Sequence, residues 1–206
     1  MSKLIKLLST VFCGFLLLSA TQALAEPVQN PVTMIQNVVN KLQAKISQNR
    51  ASLSQNPQQL FAVVKATVMP DVDVNQMAAM ALGPKWRTAT PAERQEFIDQ
   101  FGLLLTKTYA NALLTVTDYD VTVFPIRGNS WQTAQNVSVN GVVAPKNGGQ
   151  SSSVTYYLER SGNSWKIYDM AVEGVSFMKN FQSQFQSFAD MSSLLDRITT
   201  LNNSQS

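Results

Sequence analysis

Near residue 115 the spacing of apolar side chains changes, and that change constrains the fold more than any other feature of the chain. Upstream of it, Phe97, Phe101, Leu104, Leu105, Thr108, Tyr109 and Ala112 recur three and four residues apart and make one helical face. Downstream, Tyr119, Val121 and Val123 alternate with polar residues. So do Val137, Val139 and Gly141, and then Val154, Tyr156 and Leu158, the two-residue period of a half-buried strand. Trp165 to Val172 reads as a fourth strand, apolar on much of both faces. Helices, then a meander of strands, then helices again define an α+β domain.

The boundaries carry their own signals. Pro31 opens a helix over residues 32–50, with Val32, Ile35, Val38, Val39, Leu42 and Ile46 on one side. Ser54 to Asn56 is a polar break. Residues 57–68 form a second helix, with Leu60, Phe61, Val64 and Val68 on one face, and Pro70 stops it. Asp73 caps a short helix from Val74 to Leu82, which Gly83-Pro84 ends. Thr90, Pro91 and Glu93 are the N-cap, first-turn proline and third residue of a capping box. A helix from Pro91 to Leu114 rising about 1.5 Å per residue is roughly 36 Å long. Arg127-Gly128-Asn129, Lys146 to Gly149 and Ser161-Gly162-Asn163 are turns, the last two of hairpin kind, so the C-terminal strands pair antiparallel. Gly174 ends the sheet. Phe177, Phe181, Phe185 and Phe188 share a helix face, and a last helix spans Met191 to Leu201.

The chain starts as a secretory signal does. Lys3 and Lys6 precede the apolar run Leu7 to Leu18, and Ala23-Leu24-Ala25 is a cleavage site. The expected organisation is a signal peptide over residues 1–25, one domain over 26–201 and a polar, frayed tail over 202–206. Cys13, the only cysteine, leaves with the signal, and Phe12 before it argues against a lipoprotein. There is no histidine, which removes Ser-His and Cys-His nucleophile pairs and most zinc sites. Without Lys3 and Lys6 the mature chain has 14 basic against 13 acidic residues, dispersed, so nucleic-acid binding has no electrostatic support.

Few residues offer chemistry. The carboxylate pairs Asp71/Asp73, Glu93/Glu96 and Asp118/Asp120 read as caps or solvated surface. Asp169, in an apolar strand beside Tyr168, is the best acid/base candidate, with Tyr109, Tyr156 or Tyr157 as partner; the alternative is a structural pairing with an arginine or a backbone amide. Trp86-Arg87 and Arg94 suggest either phosphate capture at a helix start or local packing, with the arginines paired to Asp71, Asp73 or Glu93. Metal and organic cofactors have no residues to point to them.

Two blocks carry a resemblance. Pro70-Asp71-Val72-Asp73 through Leu82-Gly83-Pro84-Lys85-Trp86-Arg87-Thr88-Ala89-Thr90-Pro91-Ala92-Glu93-Arg94-Gln95-Glu96-Phe97, and Gly162 through Ser176 followed by Asn180-Phe181-Gln182-Ser183-Gln184-Phe185, resemble the MlaC or toluene-tolerance family of periplasmic phospholipid-binding proteins. The resemblance covers most of residues 60–190. It implies an NTF2-like α+β fold, a curved, mostly antiparallel sheet wrapped by helices around an apolar pocket. It also implies a monomeric, non-enzymatic carrier of phospholipid between outer and inner membranes that maintains outer-membrane lipid asymmetry. The implied partners are an outer-membrane lipoprotein complex and an inner-membrane ABC transporter with an MCE domain, with no nucleic acid and no cofactor beyond the lipid cargo. Expected tail contacts are Phe101, Leu104, Leu105 and Thr108 on the long helix, Val121, Val139, Val154, Tyr156, Leu158, Met170 and Val172 on the strands, and Val175, Phe181 and Phe185 beyond them. Two other readings remain, an NTF2-like enzyme built on Asp169 and an interaction module with a filled core.

Overall fold

The computed structural model describes residues 27–204. The expected signal peptide lies outside them, as do the last two residues of the expected tail. Helix α1 (Pro31–Gln55) starts at Asn30, whose side chain accepts from the Val32 and Thr33 amides. It continues past residue 50 through a kink at Asn49, because Leu53 beyond the kink is buried in one cluster with Leu60, Val64 and Ala110. The break is therefore the single residue Asn56, which caps α2 (Pro57–Thr67) through the Gln59 amide.

Asp73 accepts from the Gln76 amide to start α3 (Val74–Leu82). Pro84 does more than end that helix: it opens a five-residue turn of its own, α4 (Pro84–Thr88). The long helix α5 (Pro91–Leu114) has the expected bounds and both bonds of its capping box. The Thr90 amide donates to Glu93 at 2.7 Å and the Glu93 amide to the Thr90 hydroxyl at 3.2 Å. The Thr90 donors hold the Glu93 carboxyl below the usual range.

Five antiparallel strands follow in sequence order: β1 (Tyr119–Val123), β2 (Asn136–Pro145), β3 (Ser152–Ser161), β4 (Ser164–Val172) and β5 (Val175–Ser176). The sheet is open and curved. Gly141 lets β1 approach β2: a Cβ there would stand 2.5 Å from the Thr122 carbonyl oxygen. A bulge in β4 sets Tyr157 opposite Asp169 and Leu158 opposite Ile167, leaving Tyr168 extra. The extra residue turns Trp165 and Ile167 to the same face as Met170 and Val172. That is why β4 reads as apolar on both sides. The sheet does not stop at Gly174. Glu173 and Gly174, with φ of 50° and 78°, fold the chain back so that Val175 pairs with Val172.

Helix α6 (Phe177–Phe185) is capped by Ser176 and ends before Phe188. Helix α7 (Met191–Ser204) runs beyond Leu201. Asn202, expected in a frayed tail, is only 2% exposed and donates to the carbonyl and side-chain oxygens of Gln100.

The apolar residues separate into three cores. A helical core joins α3, α5, α6 and α7. A sheet core joins one face of β2, β3 and β4 to the first half of α1, through Met34, Ile35 and Val38. A smaller third core packs the second half of α1 on α2 and the end of α5. Among the described residues no helix is long and apolar enough to cross a membrane.

Candidate functional site

The expected tail contacts do not form one cluster. Phe101, Leu104, Leu105, Phe181 and Phe185 lie in the helical core, whereas Val139, Val154, Tyr156, Leu158, Met170 and Val172 lie in the sheet core. Three of the residues are elsewhere. Thr108 is exposed, because the buried threonine of α5 is Thr106, which donates to the Gly102 carbonyl. Val175 is 61% exposed, since the turn before it places it on the sheet edge. Val121 is half-buried opposite Val143 in the middle of β1.

Within the helical core the phenylalanines are locked to one another. Phe97 and Phe101 stack at 5.3 Å, and Phe101 meets Phe181 and Phe185 edge-on at 5.1 and 5.8 Å. Such ring pairs are favourable beyond their burial and leave little room for a guest.

The sheet core is built as cross-strand rungs on one face: Gly141–Val154–Val172, Val139–Tyr156–Met170 and Val137–Leu158–Ile167. α1 covers this face only in part, so Val137, Val143, Ile167, Met170 and Val172 stay half-buried. Tyr156 stands in the middle rung, and burial pushes its hydroxyl up to about 12, so it stays protonated. That hydroxyl makes no hydrogen bond to the described residues, which leaves a donor for a guest. One end of the wall is closed by Arg160, which lies 4.7 Å over the Trp165 ring and donates to the carbonyls of Trp131, Gln132 and Ala134.

Trp165, Ile167, Val143 and the α1 residues Met34, Ile35 and Val38 belong to this wall and were not among the expected contacts. The apolar face of α1 was readable from its spacing. The facing of Trp165 and Ile167 was hidden by the bulge.

Asp169 is 4% exposed and meets no tyrosine hydroxyl. It accepts from the Met170 amide at 2.8 Å, the Ser176 hydroxyl at 2.5 Å and the Met178 amide at 3.1 Å. Its oxygens are used in fastening the start of α6 to β4, the structural alternative, by amides and a hydroxyl and not by an arginine. Asp73 and Glu93 act as caps. Asp118 pairs with Arg50 at 2.5 Å, and Asp120 lies 3.9 Å from Lys146. Among the described residues Arg94 does not pair with a carboxylate either. Its guanidinium donates to the Trp86 and Arg87 carbonyls and lies 5.2 Å from the Trp86 ring.

Among the described residues, two of the clefts at the surface stand out. One, of about 470 Å³, lies beside α3, α4 and α6; the other, about 300 Å³, lies between α2 and α5. Of the expected tail contacts only Thr108 touches either cleft. Among the described residues no group of three or more His, Cys, Asp or Glu side chains is placed to hold a metal ion.

Fold and site together define an α+β protein with an open antiparallel sheet, one of whose faces is an apolar wall only partly covered by helix. Comparison with known proteins makes the class specific. The family model described as MlaC protein matches residues 36–203, and the chain belongs to the MlaC family. It is 31% identical over 130 residues to the toluene tolerance protein ttg2D of Pseudomonas putida, with 63% of this chain covered. It is 26% identical over 127 residues to the intermembrane phospholipid transport system binding protein MlaC of Haemophilus influenzae, with 60% covered. The matched stretch spans 59% and 58% of the length of these curated relatives. A phospholipid-binding protein from Ralstonia solanacearum, solved in complex with a phospholipid, superposes with a TM-score of 0.76 at 26% identity over 86% of this chain and 99% of that one.

Proposed function

We propose that this protein is a phospholipid carrier whose acyl tails lie against the sheet core. The observation that carries the reading is the likeness, over 86% of this chain and 99% of the other, to a structure that holds a phospholipid. The half-covered rungs of β2, β3 and β4 support it. They offer flexible Met170 and small Val172 as a conforming wall, with the Tyr156 hydroxyl as a lone donor for an ester or head-group oxygen. The helical core serves as the rigid frame behind that wall.

The physical need for such a carrier is large. A buried methylene is worth about 0.8 kcal/mol, so two acyl chains with ~30 methylenes gain on the order of 20 kcal/mol by leaving water. A lipid monomer in free solution is therefore negligible, and a carrier succeeds by matching the bilayer interior. In the same reading the protein works in the periplasm after signal cleavage at Ala25, as a non-enzymatic shuttle. It exchanges lipid with an outer-membrane lipoprotein complex and an inner-membrane MCE-domain transporter to maintain outer-membrane lipid asymmetry.

The test is lipid extraction and mass spectrometry on the mature protein prepared from periplasm without detergent. Stoichiometric phospholipid is expected. Lipid-free protein that takes up none from vesicles would overturn the reading.

A further inference from the structure

The block around Trp86, which the lipid wall does not use, builds the larger cleft. We infer that this cleft is a docking site for a partner protein, which inserts an apolar side chain and presents a carboxylate to Arg87. The inference does not depend on the carrier reading, because none of the residues lining the cleft belongs to the expected tail-contact set.

The cleft has a floor and a rim of different chemistry. The half-buried Ala79, Met80 and Trp86 make the floor, and the exposed Gln76, Pro84 and Arg87 stand around it with Gln182. The floor is held still from beneath. Arg94 lies against the Trp86 ring and donates to the backbone carbonyls of Trp86 and Arg87, and the capping box of α5 fixes the start of Arg94's own helix. Gly83, with φ of 55°, makes the corner between α3 and α4. A Cβ there would stand 2.0 Å from the Gln182 side chain, so the missing side chain is what lets Gln182 lie across the corner. A preformed surface loses little freedom on binding, and tryptophan and arginine are the residues on which such surfaces most often depend.

Charge selects the occupant. The Arg87 side chain is exposed and makes no ion pair or hydrogen bond with the described residues. Lys179, also exposed, lies one turn along α6 from Gln182. The acids of the surrounding helix starts, Asp73, Glu93 and Asp190, are each hydrogen-bonded as caps to Gln76, Thr90 and Ser193. Among the residues lining the cleft Arg87 carries a charge and none is a carboxylate, which suits a segment carrying glutamate or aspartate beside an apolar residue. A flat bilayer surface cannot reach a concave floor, so a protein segment fits better than a membrane.

The experiment follows backbone amide shifts of the mature protein as two sets of short peptides are added. One set carries leucine with glutamate; the matched set has lysine in place of glutamate. The glutamate set is expected to shift amides of residues 76–87 and Gln182. Arg87→Glu should weaken that binding about tenfold or more and should take up the lysine set instead. Gln76→Trp, an exposed substitution at the rim, should block both. The proposal is overturned if the two sets bind alike, if neither binds, or if the shifts fall outside the cleft. It is also overturned if phosphatidylglycerol vesicles or a second copy of the chain, and not the peptides, bind in an Arg87-dependent way. Bound phospholipid measured on Arg87→Glu is expected to be unchanged, so failure of docking and failure of lipid carriage are read separately.

Discussion

The helical core and the sheet core hold similar apolar residues but are finished differently. In the helical core most members are buried and the phenylalanines of α5 and α6 fix each other by ring contacts. In the sheet core more members are half-buried than buried, and aliphatic side chains and methionine predominate along its open rungs. Close packing of rings produces a frame that transmits strain, whereas a half-covered aliphatic wall can change its neighbours at little cost. The difference is the reason the proposal lays the acyl tails against the sheet core.

The largest expected effect tests the frame. Phe101→Ala removes a ring fully buried among Phe97, Phe181 and Phe185 and should cost about 3–5 kcal/mol in urea unfolding. A loss below about 1 kcal/mol would show that the helical core is as adaptable as the sheet. Next comes the tie between the two. Asp169→Ala leaves the Met178 amide and Ser176 hydroxyl without their acceptor, and stability should fall by about 2–3 kcal/mol. Asp169→Asn, which keeps an acceptor oxygen, should cost less. Lipid transfer that fails in folded Asp169→Asn would give the residue a role beyond fastening α6.

The wall is tested by two valines on one rung. Val154→Trp overpacks a buried position and should cost about 1–3 kcal/mol. Val172→Trp, at a half-buried position, should leave stability nearly unchanged and lower bound lipid by about half or more, since it fills the space in which the proposal lays the tails. Unchanged lipid in folded Val172→Trp would move the site off the sheet core.

A smaller effect is expected from pH. Burial, with Asp73 beside it, pushes the Glu159 carboxyl up to about 7. The folded state then disfavours the ionised form, so the stabilisation is complete below the unfolded carboxyl range and is lost as pH rises through about 7. The melting temperature should fall between pH 5 and 8, and Glu159→Gln should flatten the profile. A profile equally steep in the variant would assign the effect elsewhere. Smallest of all is Arg50→Ala. The Arg50–Asp118 pair is exposed on both sides, and its loss should be indistinguishable from wild type at moderate salt.

The capping signals were legible in the sequence because they are local. Asp73, Thr90 and Glu93 act within a few residues of themselves, and they placed α3 and α5 with the observed bounds. The alternation that marked β2 and β3 was equally local, as each pleat turns successive side chains to opposite faces. The strand register then confirmed Val139, Val154, Tyr156 and Leu158 as one face.

What the tertiary structure decided lay in residues whose position depends on distant ones. The bulge at Tyr168 is visible only against the register of β3, and it alone brings Trp165 and Ile167 to the face of Met170. The return of β5 exposed Val175, and Gln100 drew Asn202 into the packed end of α7. The division of the expected tail contacts between two cores has the same origin. Apolar spacing fixes that a side chain is buried, but only packing between elements far apart in the chain fixes which neighbours it is buried against.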